Sequence, residues 1–587
     1  MQRHRRSAHR LWWICLFVVG ASLANVGAVQ AQSNSEQNPV DQATEVAADP
    51  VEAVDAAASE EPAKPAAGFD QKIDKIFKPI ADFWGSVVFF SPEKLGIPFG
   101  VPVVVILLVF GASFFTIAFG FINIRLLPMA IGVVSGKYDS IEKEGVDVSS
   151  AVSVNEVDGD LVDTIRDEGE GEVSHFQALA IAVSGTDGLG NIAGVAVAVA
   201  TGGPGATFWM IVCGLLGMSS KFVECTLGVK YRDVDADGTV HGGPMYYLKK
   251  GFAELGLDPL GRVFGVLFAI FCIGGSFGGG NAFQANQAAQ QLKSLLSLPD
   301  TGSSGTIIGV VMAVMVGMVI IGGIKRIAKV TEKIVPLMAV IYCAAALIII
   351  LMNISSVPWA VKEIITGAFT PAAGLGGLMG VLIQGFQRAA FSNEAGTGSA
   401  SIAHSAVKTK YPASEGIVAL LEPFIDTVVI CTMTALVIVI FNADGLFTWG
   451  ELESKQVLID GVRVGGVDLT SRAFDSVLPG FRYVLTIAII LFAFSTMISW
   501  SYYGLQSWKY LFGKSPAADL TYKLLFCVVV VIGAAISLGS VIDFSDAMIF
   551  AMVFPNMVGL FLLFPKVREE LNRYLRACRE HDKSGGR

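Results

Sequence analysis

The chain has 587 residues, of which 53% are hydrophobic and 16% charged, and its mean hydropathy is +0.60. A soluble protein of this composition would need an implausibly large core, so the chain is predicted to be a membrane protein in contact with the lipid bilayer. The net charge of −9 argues against a nucleic-acid partner, which requires a basic surface. The eight cysteines form no CxxC pair or Cys/His cluster, so the spacing indicates no zinc, iron–sulfur or disulfide-framework site.

The N-terminal segment has the pattern of an export signal. Four arginines within Met1–Arg10 precede the apolar stretch Leu11–Gly27, and small residues follow at Val29–Ala31. Residues 1–31 are therefore predicted to be a signal peptide, with an uncleaved anchor helix as the alternative because the apolar stretch is long. In both cases the chain is exported from residue 32 onward.

Two segments separate the predicted signal peptide from the first apolar span. Residues 32–67 are rich in Ala, Glu, Asp and Ser without an apolar period, which predicts a disordered periplasmic tether. Residues 68–100 carry apolar side chains at helical spacing between Phe69 and Trp84, which predicts an amphipathic helix at the periplasmic interface of the membrane.

Apolar runs of about 20 residues, the length that crosses about 30 Å of hydrocarbon, recur along the rest of the chain. They predict eleven spans: Val101–Ile124, Phe176–Ala200, Thr207–Thr226, Val263–Gln291, Thr306–Ile324, Ile334–Asn353, Gly376–His404, Glu415–Phe441, Phe481–Tyr503, Tyr522–Ser540 and Asp546–Phe564. This order places the C-terminus in the cytoplasm of a bacterial cell, with the protein in the inner membrane. The basic loop Lys325–Lys333 and the basic tail 566–587 then lie on the cytoplasmic side, as the positive-inside rule requires.

The spans divide into two halves of five. Residues 176–353 and 376–565 each open with a Gly- and Asn-rich, interrupted helix, and the two halves enter the membrane from opposite sides. This pattern predicts an all-α polytopic membrane protein built as a five-plus-five inverted repeat. Residues 101–175 then supply one extra leading transmembrane helix and a cytoplasmic loop.

The sequences GTDGLGNIAG (Gly185–Gly194) and FSNEAGTGSAS (Phe391–Ser401) mark the two interruptions. Glycine costs about 1 kcal/mol relative to alanine in a helix interior, so several glycines in one span predict that the helix opens. Opened backbone exposes carbonyl oxygens that hold a cation and amide hydrogens that attract a carboxylate. Close helix packing through small residues is the alternative, but it does not explain polar residues such as Asp187 and Asn393 among the glycines.

Several motifs resemble those of one transporter family. They are GGPGATFWM (Gly202–Met210), KFVECTLGVKYR (Lys221–Arg232), GGPMYYL (Gly242–Leu248), GNAFQAN (Gly280–Asn286) and WSYYG (Trp500–Gly504), together with both interruptions. They are similar to the alanine or glycine:cation symporter family, also called sodium:alanine symporters, over roughly Pro79–Pro565. The resemblance implies the leucine-transporter type of five-plus-five inverted repeat and symport of a small neutral amino acid with sodium or, less often, protons.

The candidate substrate site combines residues from both halves. Asp187 is costly at mid-bilayer and is expected to contact the substrate amine or the coupling cation, or else a partner on a neighbouring helix. The resemblance implies a substrate contact for Gln284, with interhelical bonding as the alternative, and apolar walls formed by Phe391 and Trp500. The predicted substrate-binding residues are Asp187, Gly190, Gln284, Phe391, Asn393, Thr496 and Trp500.

The candidate cation site uses oxygen atoms of the backbone and of side chains. Asn191 is expected either to offer its side-chain oxygen to sodium or to cap the broken backbone. The resemblance implies that the hydroxyl groups near Thr496 join carbonyls of the first interrupted helix around sodium, although a hydroxyl bonded to its own preceding turn is the alternative. The predicted cation-binding residues are Gly188, Asn191, Thr496 and Ser499.

Four further ionisable residues lie in or beside the spans. Arg388 and Glu394 are expected to be structural or gating residues of opposite sign whose partners the sequence does not identify. His175 and His404, near the cytoplasmic interface, are expected to be hydrogen-bonded rather than to carry protons.

Together these features predict a monomeric secondary symporter that imports alanine or glycine with sodium or protons by alternating access. One alternative is a cation-coupled transporter of a different amino-acid-like solute, because Asp187 stands where an apolar residue is expected. Another alternative is a transporter-like membrane sensor. An enzyme is not predicted, because the spans contain no activated nucleophile or metal-ligand set.

Overall fold

The computed structural model describes residues 69–95, 100–143, 154–157, 160–163, 171–236, 238–298, 303–369, 378–450 and 455–583. The predicted signal peptide (1–31) and periplasmic tether (32–67) lie outside these residues. The described residues are helical except for loops and three antiparallel hairpins, Val154–Val157 with Asp160–Asp163, Asp233–Val234 with Val240–His241, and Val457–Ile459 with Val462–Val464. The protein is therefore an all-α membrane protein.

Among the described residues, five α-helices and one 3-10 helix (Pro92–Leu95) precede the two halves: α1 (Phe69–Val88), α2 (Val103–Ala118), α3 (Ile122–Arg125), α4 (Leu127–Val134) and α5 (Asp139–Lys143). One face of α1 packs on a later helix, where the ring centroids of Phe77 and Phe544 lie 5.1 Å apart and Asp74 accepts a hydrogen bond from Ser537 Oγ (2.8 Å). The opposite face carries Ile76 and Phe83, which are 74% and 60% exposed. The helix thus presents apolar side chains both to the protein and to its surroundings.

The first half contains α6 (His175–Thr186), a π-helical segment (Gly190–Gly194), α7 (Val195–Gly202), α8 (Gly205–Lys230), α9 (Pro244–Glu254), α10 (Asp258–Phe277), a second π-helical segment (Gly278–Ala282), α11 (Phe283–Leu296), α12 (Ser304–Ile320) and α13 (Gly323–Met352). A separate helix, α14 (Val357–Phe369), connects it to the second half.

The second half contains α15 (Leu378–Asn393), α16 (Ser401–His404), α17 (Pro412–Val418), α18 (Leu421–Pro423), a third π-helical segment (Phe424–Cys431), α19 (Thr432–Phe441), α20 (Val467–Val477), α21 (Arg482–Phe512), α22 (Pro516–Ala535), α23 (Leu538–Ala551) and α24 (Val553–Lys583). Each half opens with a broken helix, as the five-plus-five inverted repeat predicted from the sequence requires.

Among the described residues, seven helices are long and apolar enough to cross a membrane, or eight if the bent pair formed by α6 and the segment 190–202 counts as one span. Three further predicted spans coincide with helices of 16 or 17 residues, namely α2, α12 and α15. The total of eleven spans stays a prediction.

The first interruption forms where its glycines are. Helix α6 begins with a capping box, in which Ser174 and Gln177 satisfy each other's backbone amides, and it ends at Thr186. The helix resumes at Gly190 after a bend of 46°. The predicted opening within Gly185–Gly194 is therefore confirmed.

The second interruption is longer than the first. Helix α15 ends at Asn393, and the chain is irregular until α16 begins at Ser401. Glu394, Gly396 and Gly398 all have positive φ angles, of 55°, 90° and 91°. Glycine adopts this region without steric cost, whereas a residue with a side chain does so at a cost of about 1–2 kcal/mol. The glycines therefore allow this break, and Glu394 is held in place by its contacts.

Two helices have bounds that differ from those of the predicted spans. Helix α24 continues through Pro565 to Lys583, so the predicted tail 566–587 is helical up to that residue. The predicted span Tyr522–Ser540 corresponds to α22, which begins at Pro516 and ends at Ala535. Ser515 caps the start of this helix by accepting a hydrogen bond from the Ala518 amide, which explains the earlier boundary.

Helix α8 passes the connecting helix α14 at a point where both carry glycine. A methyl group on Gly205 would overlap the backbone of Gly367. We expect Gly205→Ala to lower the free energy of unfolding by about 1–3 kcal/mol, because the two backbones must separate. Thermal unfolding in detergent measures this change. Gly539→Ala is the matched control: a methyl group there meets no atom within 4 Å, so unchanged or slightly increased stability is expected. Equal stability of both variants would contradict the close contact.

Candidate functional site

The first break is tied to α11 by one glutamine side chain. The backbone amide of Leu189 donates to Gln284 Oε1 (2.9 Å), and Gln284 Nε2 donates to the carbonyl of Gly279 (2.9 Å). Both ends of the Gln284 amide are thereby occupied by backbone groups. Gln284 thus joins the first break to the π-helical segment Gly278–Ala282.

A buried polar group, which we call the acidic cluster, consists of Asp187, Asn191, Ser392, Asp426 and Thr427. Asn191 Nδ2 donates to Asp426 Oδ1 (2.7 Å) and to Asp187 Oδ1 (3.3 Å), so one amide bridges the two carboxyl groups. Ser392 Oγ lies 3.0 Å from both Asn191 Oδ1 and Asp426 Oδ1. Thr427 Oγ1 donates to the other Asp426 oxygen. The cluster therefore joins both broken helices to the π-helical segment Phe424–Cys431.

The acidic cluster has the chemistry of a site for a hard cation. Its side chains supply carboxylate, amide and hydroxyl oxygens, which are the ligands that such ions prefer. Asp187 Oδ2 is buried and has no hydrogen-bond partner within the described part of the chain. Two neighbouring carboxylates repel each other strongly in a medium of low dielectric constant, so a cation or a proton between them stabilises the cluster.

A second polar group, the hydroxyl cluster, consists of Ser184, Ser495, Thr496 and Ser499. Thr496 Oγ1 donates to the carbonyl of Ser184 (2.9 Å), and Ser184 Oγ donates to the carbonyl of Ser495 (2.7 Å). Ser499 Oγ donates to Ser184 Oγ (3.0 Å). A methyl group on Gly188 would overlap Thr496 Oγ1. Glycine at this position therefore lets α21 approach the first break.

Trp500 connects the two breaks. Its Nε1 donates to Glu394 Oε1 (2.9 Å) and to the carbonyl of Gly185 (3.2 Å). The indole lies against Gly280, where any side chain would overlap it. Ser399 donates to the other oxygen of the Glu394 carboxyl. These contacts hold Glu394 in its left-handed backbone conformation and fix the orientation of the indole.

The remaining predicted site residues lie beside these groups. Asn393 Nδ2 donates to Thr427 Oγ1 (2.8 Å), and its Oδ1 accepts from the Ala395 amide (3.0 Å), so Asn393 caps the second break. Phe391 packs edge-on against Phe283, with ring centroids 5.2 Å apart. Gly190 faces Ser392 and Phe391 across the junction of the two halves.

Sequence reasoning missed three members of the acidic cluster, namely Ser392, Asp426 and Thr427. Asp426 lies inside the apolar span Glu415–Phe441, and an ionisable residue at such a position is by default a candidate for function. That signal was present in the sequence. No comparable signal distinguishes Ser392 or Thr427 from hydroxyl residues that bond only to their own helix.

Arg388 and Glu394 do not contact each other. Arg388 forms a buried ion pair with Asp546 of α23, and its guanidinium lies 5.2 Å from the centroid of the Phe391 ring. Glu394 is bonded to Trp500 and Ser399. The two residues thus belong to separate contacts between the second broken helix and its neighbours.

The chain matches known proteins over most of its length. The profile of the sodium:alanine symporter family matches residues 94–585. The chain is 38% identical to the sodium/alanine symporter AgcS of Methanococcus maripaludis over 474 residues, which are 81% of this chain and 94% of the relative. It is 33% identical to the probable sodium/glutamine symporter GlnT of Bacillus subtilis, over 81% of this chain and 87% of the relative.

Among solved structures, the crystal structure of MhsT in complex with L-phenylalanine matches 67% of this chain and 89% of that chain at 14% identity, with a TM-score of 0.48. The family match over residues 94–585 and the 38% identity with AgcS over 81% of this chain give one conclusion: the chain is a multi-pass membrane transporter that belongs to the sodium:alanine symporter family.

Proposed function

We propose that the protein imports a small neutral amino acid, alanine or glycine, together with Na+ by alternating access in a bacterial inner membrane. The observation that carries this proposal is the acidic cluster, in which two buried carboxyl groups meet at the junction of the two broken helices. A bound Na+ neutralises part of this charge. The helix breaks supply backbone groups for the ends of an amino acid.

The acidic cluster and the hydroxyl cluster each bind one cation. In the acidic cluster, Asp187, Asn191 and Asp426 supply oxygens to one Na+. In the hydroxyl cluster, Thr496 and Ser499 supply hydroxyl oxygens to a second cation. This cation lies next to backbone carbonyls of the break at Gly188. The short contacts between Ser184 and α21 support this second location, because hydroxyl and carbonyl oxygens already converge there.

The amino acid lies between the breaks, near Gly190 and Asn393. Phe391 and Trp500 wall its apolar side. Trp500 is held by two hydrogen bonds and backed by Gly280, which leaves little freedom to enlarge the space. This arrangement favours a small side chain.

Glutamine is the second candidate substrate, because one relative is named a probable sodium/glutamine symporter. Gln284 acts as a positioning residue in either case, since its amide holds the break rather than facing an open space.

A cavity of about 380 Å³ supports approach of the substrate from the side of α1. Its lining includes Asp74 of α1 and Gln287 of α11, which lies one turn beyond Gln284. The Lys and Arg distribution assigns this side to the periplasm, so we propose that the cavity is the outer entrance.

Uptake of radiolabelled L-alanine into proteoliposomes tests the proposal. We expect uptake in the presence of an inward Na+ gradient and loss of uptake when choline replaces Na+. Unlabelled glycine should compete with L-alanine if the site accepts small side chains only. Competition by L-glutamine would show that the pocket also accepts a larger side chain. Equal uptake in Na+ and choline would contradict Na+ coupling.

We expect Asp426→Asn to raise the half-saturating Na+ concentration at least about tenfold, because removing a charged ligand costs about 1.5–3 kcal/mol and each 1.4 kcal/mol is a factor of ten. The Na+ dependence of L-alanine uptake measures this change. Asp444→Asn is the matched control, since Asp444 is an exposed aspartate after the same helical segment and should leave the Na+ dependence unchanged. An unchanged Na+ dependence in Asp426→Asn would remove the acidic cluster from cation binding.

Asp187→Asn separates the two roles open to Asp187. Because Asp187 shares the Asn191 amide with Asp426, we expect the half-saturating Na+ concentration to rise, while the half-saturating alanine concentration at saturating Na+ changes less than about threefold. The same uptake assay, run as a grid of Na+ and alanine concentrations, measures both values. A rise confined to the alanine value would instead assign Asp187 to the substrate amine.

A further inference from the structure

A cavity of about 400 Å³ lies between the short helix α4 and the C-terminal part of α24. Two of the side chains that line it, Tyr138 and Cys578, are almost completely buried. We call this space the basic cavity. It is separate from the acidic cluster, the hydroxyl cluster and the cavity beside α1, because it shares no lining residue with them. Its lining also includes four exposed, charged side chains: Arg125, Lys137, Arg579 and Asp582.

The charges that line the basic cavity do not cancel. Lys137 Nζ lies 3.3 Å from Asp582 Oδ1, so this lysine has a carboxylate partner. Arg125 donates to the carbonyl of Gly120 (3.0 Å) and pairs with no carboxylate among the described residues. Arg579 likewise forms no ion pair within the part of the chain that the structure describes. The cations therefore outnumber the carboxylate by two, and the cavity attracts a ligand with two negative charges.

The donors of the basic cavity suit phosphate groups. Arg125 is the last residue of α3 and Arg579 lies near the end of α24, so the two guanidinium groups reach the cavity from different helices. A guanidinium group presents a planar set of N–H donors that matches two oxygens of one phosphate. Tyr138 accepts a hydrogen bond from Lys137 Nζ (3.1 Å), which leaves its hydroxyl hydrogen for another acceptor. The cavity therefore offers donors to two phosphate groups.

An apolar surface adjoins the basic cavity. Ile124 of α3 and Ile131 of α4 are 66% and 60% exposed. Large apolar side chains with this exposure are favourable in a membrane protein where acyl chains cover them. Pro128 and Gly132, in the same segment, line the cavity. A ligand with phosphate groups in the cavity and acyl chains against the two isoleucines complements both surfaces.

Both sides of the basic cavity belong to segments that the sequence predicts to be cytoplasmic, namely the loop that follows the first span and the tail 566–587. Anionic phospholipids of the cytoplasmic leaflet attract basic segments, and basic pockets between helices on this side are suited to their headgroups. Soluble phosphate compounds share the headgroup chemistry but have no acyl chains. The exposed isoleucines therefore favour a lipid over a soluble anion.

We propose that the basic cavity binds the headgroup of an anionic phospholipid with two phosphate groups at the cytoplasmic surface of the membrane. Arg125 and Arg579 each hold one phosphate, and the acyl chains lie along α3 and α4. The bound lipid then links the segment after the first helix to the C-terminal helix α24. This inference goes beyond the proposed transport function and does not depend on it, because lipid binding is measured without transport.

Native mass spectrometry of the full-length protein in a neutral detergent measures the binding of added lipids. We expect diphosphatidylglycerol, which has two phosphates, to bind at least about tenfold more tightly than phosphatidylglycerol, which has one, because a charge-assisted contact contributes about a factor of ten or more. Phosphatidylcholine, whose headgroup has no net charge, should bind more weakly than either. Pyrophosphate supplies two phosphates without acyl chains, and binding as tight as that of diphosphatidylglycerol would overturn the assignment to a lipid.

Two variants test the phosphate contacts. Arg125→Gln and Arg579→Gln should each weaken the binding of diphosphatidylglycerol at least about tenfold. Arg576→Gln is the matched control: Arg576 is an exposed arginine one turn earlier on α24, donates to the carbonyl of Asn572 and does not line the cavity, so binding should be unchanged. An equal loss in all three variants would overturn the proposal, because positive charge anywhere on this surface would then suffice.

A third variant should change the affinity in the opposite direction. Asp582→Asn removes the carboxylate from the lining of the basic cavity, so we expect diphosphatidylglycerol to bind about two- to fivefold more tightly. Loss of structural support would not increase affinity. Weaker binding to Asp582→Asn than to the wild-type protein would contradict the proposed role of charge.

Thermal unfolding separates loss of binding from loss of the fold. Without added lipid, Arg125→Gln and Arg579→Gln should unfold at the wild-type temperature, since neither arginine forms an ion pair within the described residues. A ligand that binds the native state stabilises it, so diphosphatidylglycerol in excess should raise the wild-type unfolding temperature by at least about 2 °C and that of both variants by less. Equal shifts in the wild-type protein and both variants would overturn the proposal and leave the proposed transport function intact.

Discussion

The structure depends on two carboxyl groups, Asp187 and Asp426, being held beside each other where lipid surrounds the protein on all sides. One amide, that of Asn191, bridges them, and the hydroxyl groups of Ser392 and Thr427 contact Asp426. Burying like charges costs several kcal/mol unless a cation or proton compensates. The helix breaks and the π-helical segments make this arrangement possible. Regular helices would not bring the first broken helix, the second broken helix and the segment Phe424–Cys431 together at one point. π-helical segments occur at functional sites in many proteins, and here three of them line the same region.

The first broken helix is held on both sides of its break by different parts of the protein. At its start, His175 contacts Glu415, which in turn contacts His404 of the second broken helix. Just after the break, Thr470 Oγ1 of α20 donates to the carbonyl of Ile192 (3.0 Å). Under the proposed alternating access, one of these two contacts opens while the other stays closed. Because both contacts act on the same interrupted helix, a change in its bend affects both of them.

Much of this arrangement could be predicted from the sequence, and the rest could not for identifiable reasons. The glycine-rich motifs predicted both breaks, since a local excess of glycine has a local consequence. Asp426 was visible as a charge within a span, but its pairing with Asn191 depends on which face of a π-helical segment meets the other half. The partners of His175 could not be inferred either, because Glu415 lies 240 residues away in the sequence. Nor did the sequence predict that Lys221 is completely buried against Glu422. Only a carboxylate on another helix makes that burial tolerable, and a single sequence does not show such a pairing.

The size of the proposed substrate space follows from how Trp500 is fixed. Its indole cannot move toward the π-helical segment Gly278–Ala282, because Gly280 allows contact with the backbone there and leaves no gap. It cannot rotate without giving up hydrogen bonds to Glu394 and to the carbonyl of Gly185, which belong to the two different breaks. An indole N–H left buried without a partner costs about 1–3 kcal/mol. The same side chain that limits the space therefore also holds the two breaks in register. A larger substrate would have to displace the Trp500 indole and also move the two helix breaks apart. Under the proposed function, selectivity for a small amino acid and the coupling between the two halves thus depend on one residue.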